Sequence, residues 1–179
     1  MSAPPTVVAL SGNPRPGSRT HHAARAVADR VADLLGGLDR VDVDLSDLAG
    51  EVFDPHSPRV TAATATAAGA RVLVVATPTY KATYTGLLKA FLDRYGTAGL
   101  AGVVAVPLQV AGHPGHLLAA EVHLRPLLVE LGAHVPTRAL TLTESQLGDL
   151  DAPLEAWVAS EGAALVHAAG AAALTGAQV

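Results

Sequence analysis

Residues 6–20 read TVVALSGNPRPGSRT. Thr6–Leu10 is an apolar run without alternation, the pattern of a short strand covered on both faces. It breaks at Ser11-Gly12-Asn13-Pro14, and Ser18 then stands where a helix N-cap is wanted. From there Val27, Val31, Leu34 and Leu35 recur at helical spacing until Gly36-Gly37 stops them. The unit is a strand, a polar loop and a helix.

The same alternation continues along the chain. Val41–Leu45 alternates apolar and acidic residues, which suits a strand at a sheet edge, and 46–58 is loop-like. A helix over Ala62–Ala70 leads to a second buried run, Val72–Ala76, which ends at Thr77-Pro78. Thr85–Tyr95 reads as a helix with Leu87, Leu88, Phe91 and Leu92 inward, and Val103–Val110 as the next strand. A helix over His116–Leu131, perturbed by Pro126, precedes a last strand at Val135–Leu142 and an Ala-rich helix over Leu154–Leu174, with a frayed tail from Thr175. Five strands alternating with helices imply an α/β fold with a parallel sheet and helices on both faces, because parallel neighbours need crossover connections. The 179 residues fit a single domain over 1–179. Ligands in such sheets bind at the carboxyl ends of the strands, which singles out the loops after strands one, three and four.

Composition narrows the function. The absence of cysteine excludes disulfides, thiolate metal sites and cysteine nucleophiles, and points to a reducing cytoplasm. A net charge of −4, with acidic and basic residues interspersed, leaves no extended basic face for nucleic acid, and 3% aromatics argue against base-stacking platforms. Met1–Thr6 has no basic start of the kind a signal peptide needs. The uncharged stretch between Arg94 and Glu121 is broken by Pro107, Gly112, Pro114 and Gly115, so no membrane span is expected.

The first loop, Ser11–Thr20, lacks both the Gly-Lys-Ser/Thr ending of a Walker loop and the Gly-x-Gly-x-x-Gly turn. It offers instead the hydroxyls of Ser11, Ser18 and Thr20, the guanidinium groups of Arg15 and Arg19, and backbone N–H groups at a helix start, a set suited to phosphate. After strand three, Pro78 restricts the chain and the residues that follow could face a planar heterocycle with Tyr80 against it; an ordinary strand-to-helix turn with Tyr80 and Tyr84 as packing residues fits equally well. After strand four, Gly112 permits close approach of a ligand. His113 and His116 are only three apart and have no third ligand in sight, so they read as a polar rim, no metal is expected, and His123 reads as a helix-surface or interface residue. There is no Gly-x-Ser-x-Gly elbow and no His-Glu-x-x-His, and Asp93 and Glu121 read as solvated helix charges. Phosphate contacts without general acids or bases suggest that a cofactor supplies the reactivity and that no side chain is catalytic.

Three segments, SGNPRPGSRT, ATPTYKATYTGLLKAFLD and GHPGHLLAAEVHLRPLLVELGA, in that order and spacing, resemble the NADPH-dependent FMN reductases of flavodoxin-like fold. The similarity is greatest to the flavin reductases of two-component alkanesulfonate monooxygenase systems. It implies a three-layer fold with strand order 2-1-3-4-5 and FMN at the switch point. By position, Ser11, Arg15, Ser18, Arg19 and Thr20 would surround the FMN phosphate, Pro78, Thr79, Tyr80 and Lys81 would border the isoalloxazine ring, and Gly112 would close the far side. Hydride would pass from NADPH or NADH to FMN, and reduced flavin to a flavin-dependent monooxygenase. The alternatives are a tight-FMN quinone, azo or metal-ion reductase, and a non-enzymatic flavodoxin-like electron carrier. A homodimer or homotetramer is expected, with the apolar helices around Phe91, Tyr95 and Val122 as candidate contacts or, equally, as parts of the core. In the sulfonate-system enzymes the helix after the third loop can carry an inserted aromatic that makes a π-bulge at the subunit interface. Glu121-Val122-His123 stands there in this chain, so an altered or missing bulge is expected.

Overall fold

The computed structural model describes residues 6–176. Its strands are β1 (Thr6–Ser11), β2 (Asp39–Asp44), β3 (Val72–Pro78), β4 (Val104–Ala111) and β5 (Leu140–Thr143). They form one parallel sheet in the order β2-β1-β3-β4-β5, the flavodoxin-like order that the motifs implied. The main helices are α1 (Arg19–Leu34), α2 (Pro58–Ala68), α3 (Gly86–Leu92), α4 (Arg125–Glu130) and α5 (Asp151–Gly176). Only the start of the tail expected from Thr175 falls within the described residues, and there the helix continues to Gly176.

Two apolar layers sandwich the sheet. Val8, Leu10, Leu73 and Val75 pack under Val60, Phe91 and Leu128, while Val7, Ala9, Val72 and Val74 face Val27, Val31, Trp157 and Leu165. Successive strand residues thus point into opposite layers, which is why β1 and β3 show no polar alternation. β2 lies at one edge, where Val41 is partly exposed and Arg40, Asp42, Asp29 and Arg25 form a lattice of ion pairs.

Several elements differ from their sequence reading. α2 starts four residues earlier, because Ser57 Oγ accepts the Val60 N–H at 3.1 Å and Pro58 takes the first helical position, which asks for no N–H. The helix expected over His116–Leu131 is instead a 3₁₀ turn at Pro114–His116, a π turn at Ala120–Leu124 and then α4. Pro126 cannot donate to the carbonyl four residues back, and just before it the Arg125 N–H reaches the Ala120 carbonyl in the wider register. The bulge is therefore present without an inserted aromatic, and Val122 and His123 on it are exposed. Phe91 and Tyr95, by contrast, belong to the core: Phe91 is fully buried and the Tyr95 hydroxyl donates to the Thr64 carbonyl at 2.9 Å. Burial pushes the Tyr95 phenol well above its ordinary pKa.

The last strand is shorter than Val135–Leu142. His134 bridges to Val104, but Pro136 lacks the N–H that the ladder needs, and the chain rejoins the sheet only at Leu140. Side chains hold the gap. Arg125 donates to the Val135 and Thr137 carbonyls, Glu121 takes the Arg125 guanidinium and the Ala139 N–H, and the buried Glu161 takes the Arg138 N–H at 2.9 Å. Glu121 is thus a structural clamp and not a solvated charge. Hydrogen bonds from Arg125 hold its carboxyl below the ordinary range, with the Ala139 N–H adding to them against the opposing effect of burial. A carboxylate with a depressed folded pKa stabilises above its unfolded pKa, and that stability is lost as pH falls through the folded value. Glu121→Gln should lower unfolding free energy at neutral pH by about 1.5 to 3 kcal/mol. The gap from wild type should narrow below about pH 4.3. Urea titrations on both sides of that pH check this, and a pH-independent gap would reject the role of the ionised group.

Candidate functional site

The loops at the carboxyl ends of β1, β3 and β4 converge on one cavity. The first is built by its own short polar residues. Asn13, only 8% exposed, accepts the Arg15 N–H at 3.0 Å and donates to Thr20 Oγ1 at 3.1 Å, which draws the loop back onto α1. Gly17 takes φ 59°, a left-handed conformation that a side chain would strain. Ser18 Oγ then caps α1 by accepting the His21 N–H at 3.1 Å. The N–H groups of Arg19 and Thr20, in the first turn, have no helical acceptor.

This loop is fastened to the next one from below. The Gly12 N–H donates to the Ala76 carbonyl at 2.8 Å, and the Thr85 hydroxyl donates to the Gly12 carbonyl at 2.5 Å. Thr85 Oγ1 also accepts the Leu88 N–H at 3.1 Å and so caps α3, while its own N–H reaches Thr77 Oγ1 at 3.2 Å. A Cβ on Gly12 would sit 2.7 Å from Leu88 Cβ, so glycine is what lets the loop and α3 close on each other.

The second loop is a tight turn. The Thr79 N–H and hydroxyl both donate to the Val110 carbonyl, at 2.8 and 3.1 Å, and Gln109 Nε2 donates to Thr79 Oγ1 at 2.7 Å. Tyr80 and Thr83 exchange backbone hydrogen bonds across Lys81 and Ala82, both at positive φ (50° and 67°). Positive φ at both central residues usually selects Gly or Asn, so this turn is held by its surroundings and not by its own residue types.

The cavity measures about 360 Å³. Arg15, Ser18, Arg19 and Thr20 line it together with Pro78, Thr79, Tyr80 and Gly112. Of the ten residues singled out from the sequence, eight meet there. Ser11 is fully buried, its hydroxyl without a hydrogen-bond partner, and Lys81 is exposed at the tip of its turn; neither lines the cavity. Asn13, Glu144 and Leu147 line it unanticipated. Asn13 had a signal in the Asn-Pro turn that follows the strand. Glu144 had none, because it reaches the site through the pairing of Thr143 with Ala111.

His113 turns its Nδ1 to accept the Gly115 N–H at 3.0 Å, and its ring lies 6.0 Å from that of His116. Among the described residues there is no cluster of three or more histidine or acidic side chains able to hold a metal.

Two guanidinium groups, hydroxyls and a helix start with free N–H groups match a phosphate monoester. The strip of peptide and ring surface from Pro78 to Tyr80, opposite Gly112, matches a flat heterocycle. The residues present therefore fit FMN.

Residues 5–146 match the family model described as NADPH-dependent FMN reductase. The chain is 36% identical over 151 residues to FMN reductase (NADPH) of Escherichia coli K12, covering 80% of this chain and 75% of that protein. It is 33% identical over 133 residues to the NADH-dependent FMN reductase SfnF of Pseudomonas putida, covering 72% of each. Among solved structures it is similar to an NADH:FMN oxidoreductase, EMOB, in its apo form, with TM-score 0.71 and 32% identity over 95% of this chain and 89% of that one.

If Thr85 locks the two loops together, Thr85→Val should cost about 1 to 3 kcal/mol of stability. It should also speed amide hydrogen exchange across residues 12–18, and Thr85→Ser should restore both. Unchanged exchange in the valine variant would show that the loop holds itself.

Proposed function

The chain belongs to the NADPH-dependent FMN reductase family, and from that premise we propose that it reduces FMN in the cavity between the β1, β3 and β4 loops and hands the reduced flavin to a separate flavin-dependent monooxygenase. It is an oxidoreductase that works with FMN and a nicotinamide nucleotide. The observation that carries the placement is the arginine-bearing loop closed by Asn13 onto the start of α1.

Bound FMN supplies the acceptor for a hydride from the nicotinamide. The protein's part is positional. Arg15, Arg19, Ser18 and the first-turn N–H groups of α1 hold the phosphate end. Thr79, pinned to the Val110 carbonyl, and Tyr80, fixed by its turn, set the plane of the ring, and Gly112 leaves room at its other side. Orientation of this kind converts an encounter into a near-unimolecular step without a general acid or base. The lining carries a single carboxylate, Glu144, and it is engaged by Arg19.

The hand-over reading rests on exposure. Arg15, Pro16, Gly17 and Arg19 all face solvent, so a ligand's phosphate end can enter and leave without the fold opening. Leu118, Val122 and Val129 are exposed apolar side chains on the segment from the turn before the π turn to α4, and this reading uses them to join copies of the chain into a dimer or tetramer. No helix among the described residues is long and apolar enough to cross a membrane.

Steady-state oxidation of NADPH and NADH with FMN, and with riboflavin in its place, tests the reading. Arg15→Ala should raise KM for FMN roughly tenfold or more and leave riboflavin little changed, since a charge-assisted hydrogen bond is worth about 1.5 to 3 kcal/mol. No nucleotide oxidation with FMN present would overturn it. Yellow protein carrying stoichiometric FMN and turning over quinones would favour a resident flavin instead.

A further inference from the structure

Glu144 is the first residue beyond β5, and its place is set by backbone. Thr143 pairs with Ala111 in the sheet, and the Thr143 N–H donates to Gln146 Oε1 at 2.8 Å, closing a capping box around the turn. This leaves one Glu144 oxygen 2.8 Å from Arg19 Nη2 and the other 3.7 Å from where a Cβ on Gly112 would stand. The carboxylate therefore sits against the loop assigned to the ring and reaches the guanidinium assigned to the phosphate, joining residues 125 apart in sequence.

Building on the FMN reading above, we propose that Glu144 is an internal competitor for Arg19 that weakens the hold on the flavin's phosphate and speeds its release. The same guanidinium N–H cannot serve both anions at full strength. Either the phosphate displaces the carboxylate, or the two anions share one cation at a cost in mutual repulsion. Both side chains are more than half exposed, so the pair itself is weakly held and exchange is fast. The effect is confined to ligands bearing the phosphate. A flavin without it leaves the Arg19–Glu144 pair intact.

Glu144→Gln keeps the size of the side chain and removes its charge. Equilibrium titration by flavin fluorescence should show Kd for FMN falling about three- to tenfold, with slower dissociation in stopped flow, and Kd for riboflavin within about twofold of wild type. In an Arg19→Gln background the same change should have no effect on FMN. An unchanged or weaker Kd for FMN in Glu144→Gln would overturn the proposal, as would equal tightening of riboflavin, which would put the carboxylate's action on the ring. Wild-type protein that does not bind FMN at all would overturn the reading of the site and this proposal with it; binding without the Glu144 effect overturns the proposal alone.

Discussion

The Thr85 hydroxyl donates to the Gly12 carbonyl, accepts the Leu88 N–H and lies in a position closed to water. A buried hydrogen bond left unmade costs about 1 to 3 kcal/mol, so each of these groups holds the others in place. Because Gly12 opens one ligand loop and Thr85 closes the other, the arginine-bearing turn and the Pro78–Tyr80 strip move as one body. The spacing between the two loops is thereby fixed by the core, through Leu88, and not by the exposed residues that line the cavity.

The far wall is placed by a different device. Pro136 takes the chain out of the sheet, and Glu121 with Arg125 from one side and Glu161 from the other guide it back. The π turn is part of the same arrangement, since it carries Glu121 and passes directly into Arg125 and Pro126. A bulge that looks like a local irregularity of one helix thus helps decide where β5 begins and, through its register with β4, where Glu144 and Leu147 stand.

This division explains what could be read in advance. β1, β3 and β4 are legible because burial on both faces forces uninterrupted apolar runs, and the loops after them because prolines, glycines and capping hydroxyls mark turns locally. Arg15, Ser18, Arg19 and Thr20 follow one another in sequence, so their convergence needs no knowledge of distant pairing. The start of α2 was legible in Ser57-Pro58 but lay inside a stretch read as loop. Glu121 and Glu144 were out of reach, because their roles depend on partners in other elements. Lys81 follows three lining residues in sequence, yet it sits at the tip of a turn whose positive φ values nothing in Lys81-Ala82 announces. Ser11 shows the same limit on a smaller scale: a hydroxyl at a strand end faces inward or outward according to pleat, and here it is buried.

Arg40, Asp42, Asp29 and Arg25 garnish the outer flank of β2 with alternating charge. A lone border strand with unpaired peptide groups invites a neighbour to continue the ladder, and fixed charges beside it make that continuation unfavourable. The exposed apolar side chains of Leu118, Val122 and Val129 stand elsewhere, on the turn before the π turn, on the π turn and on α4. Extension of the sheet by a second chain is thus discouraged at the β2 edge.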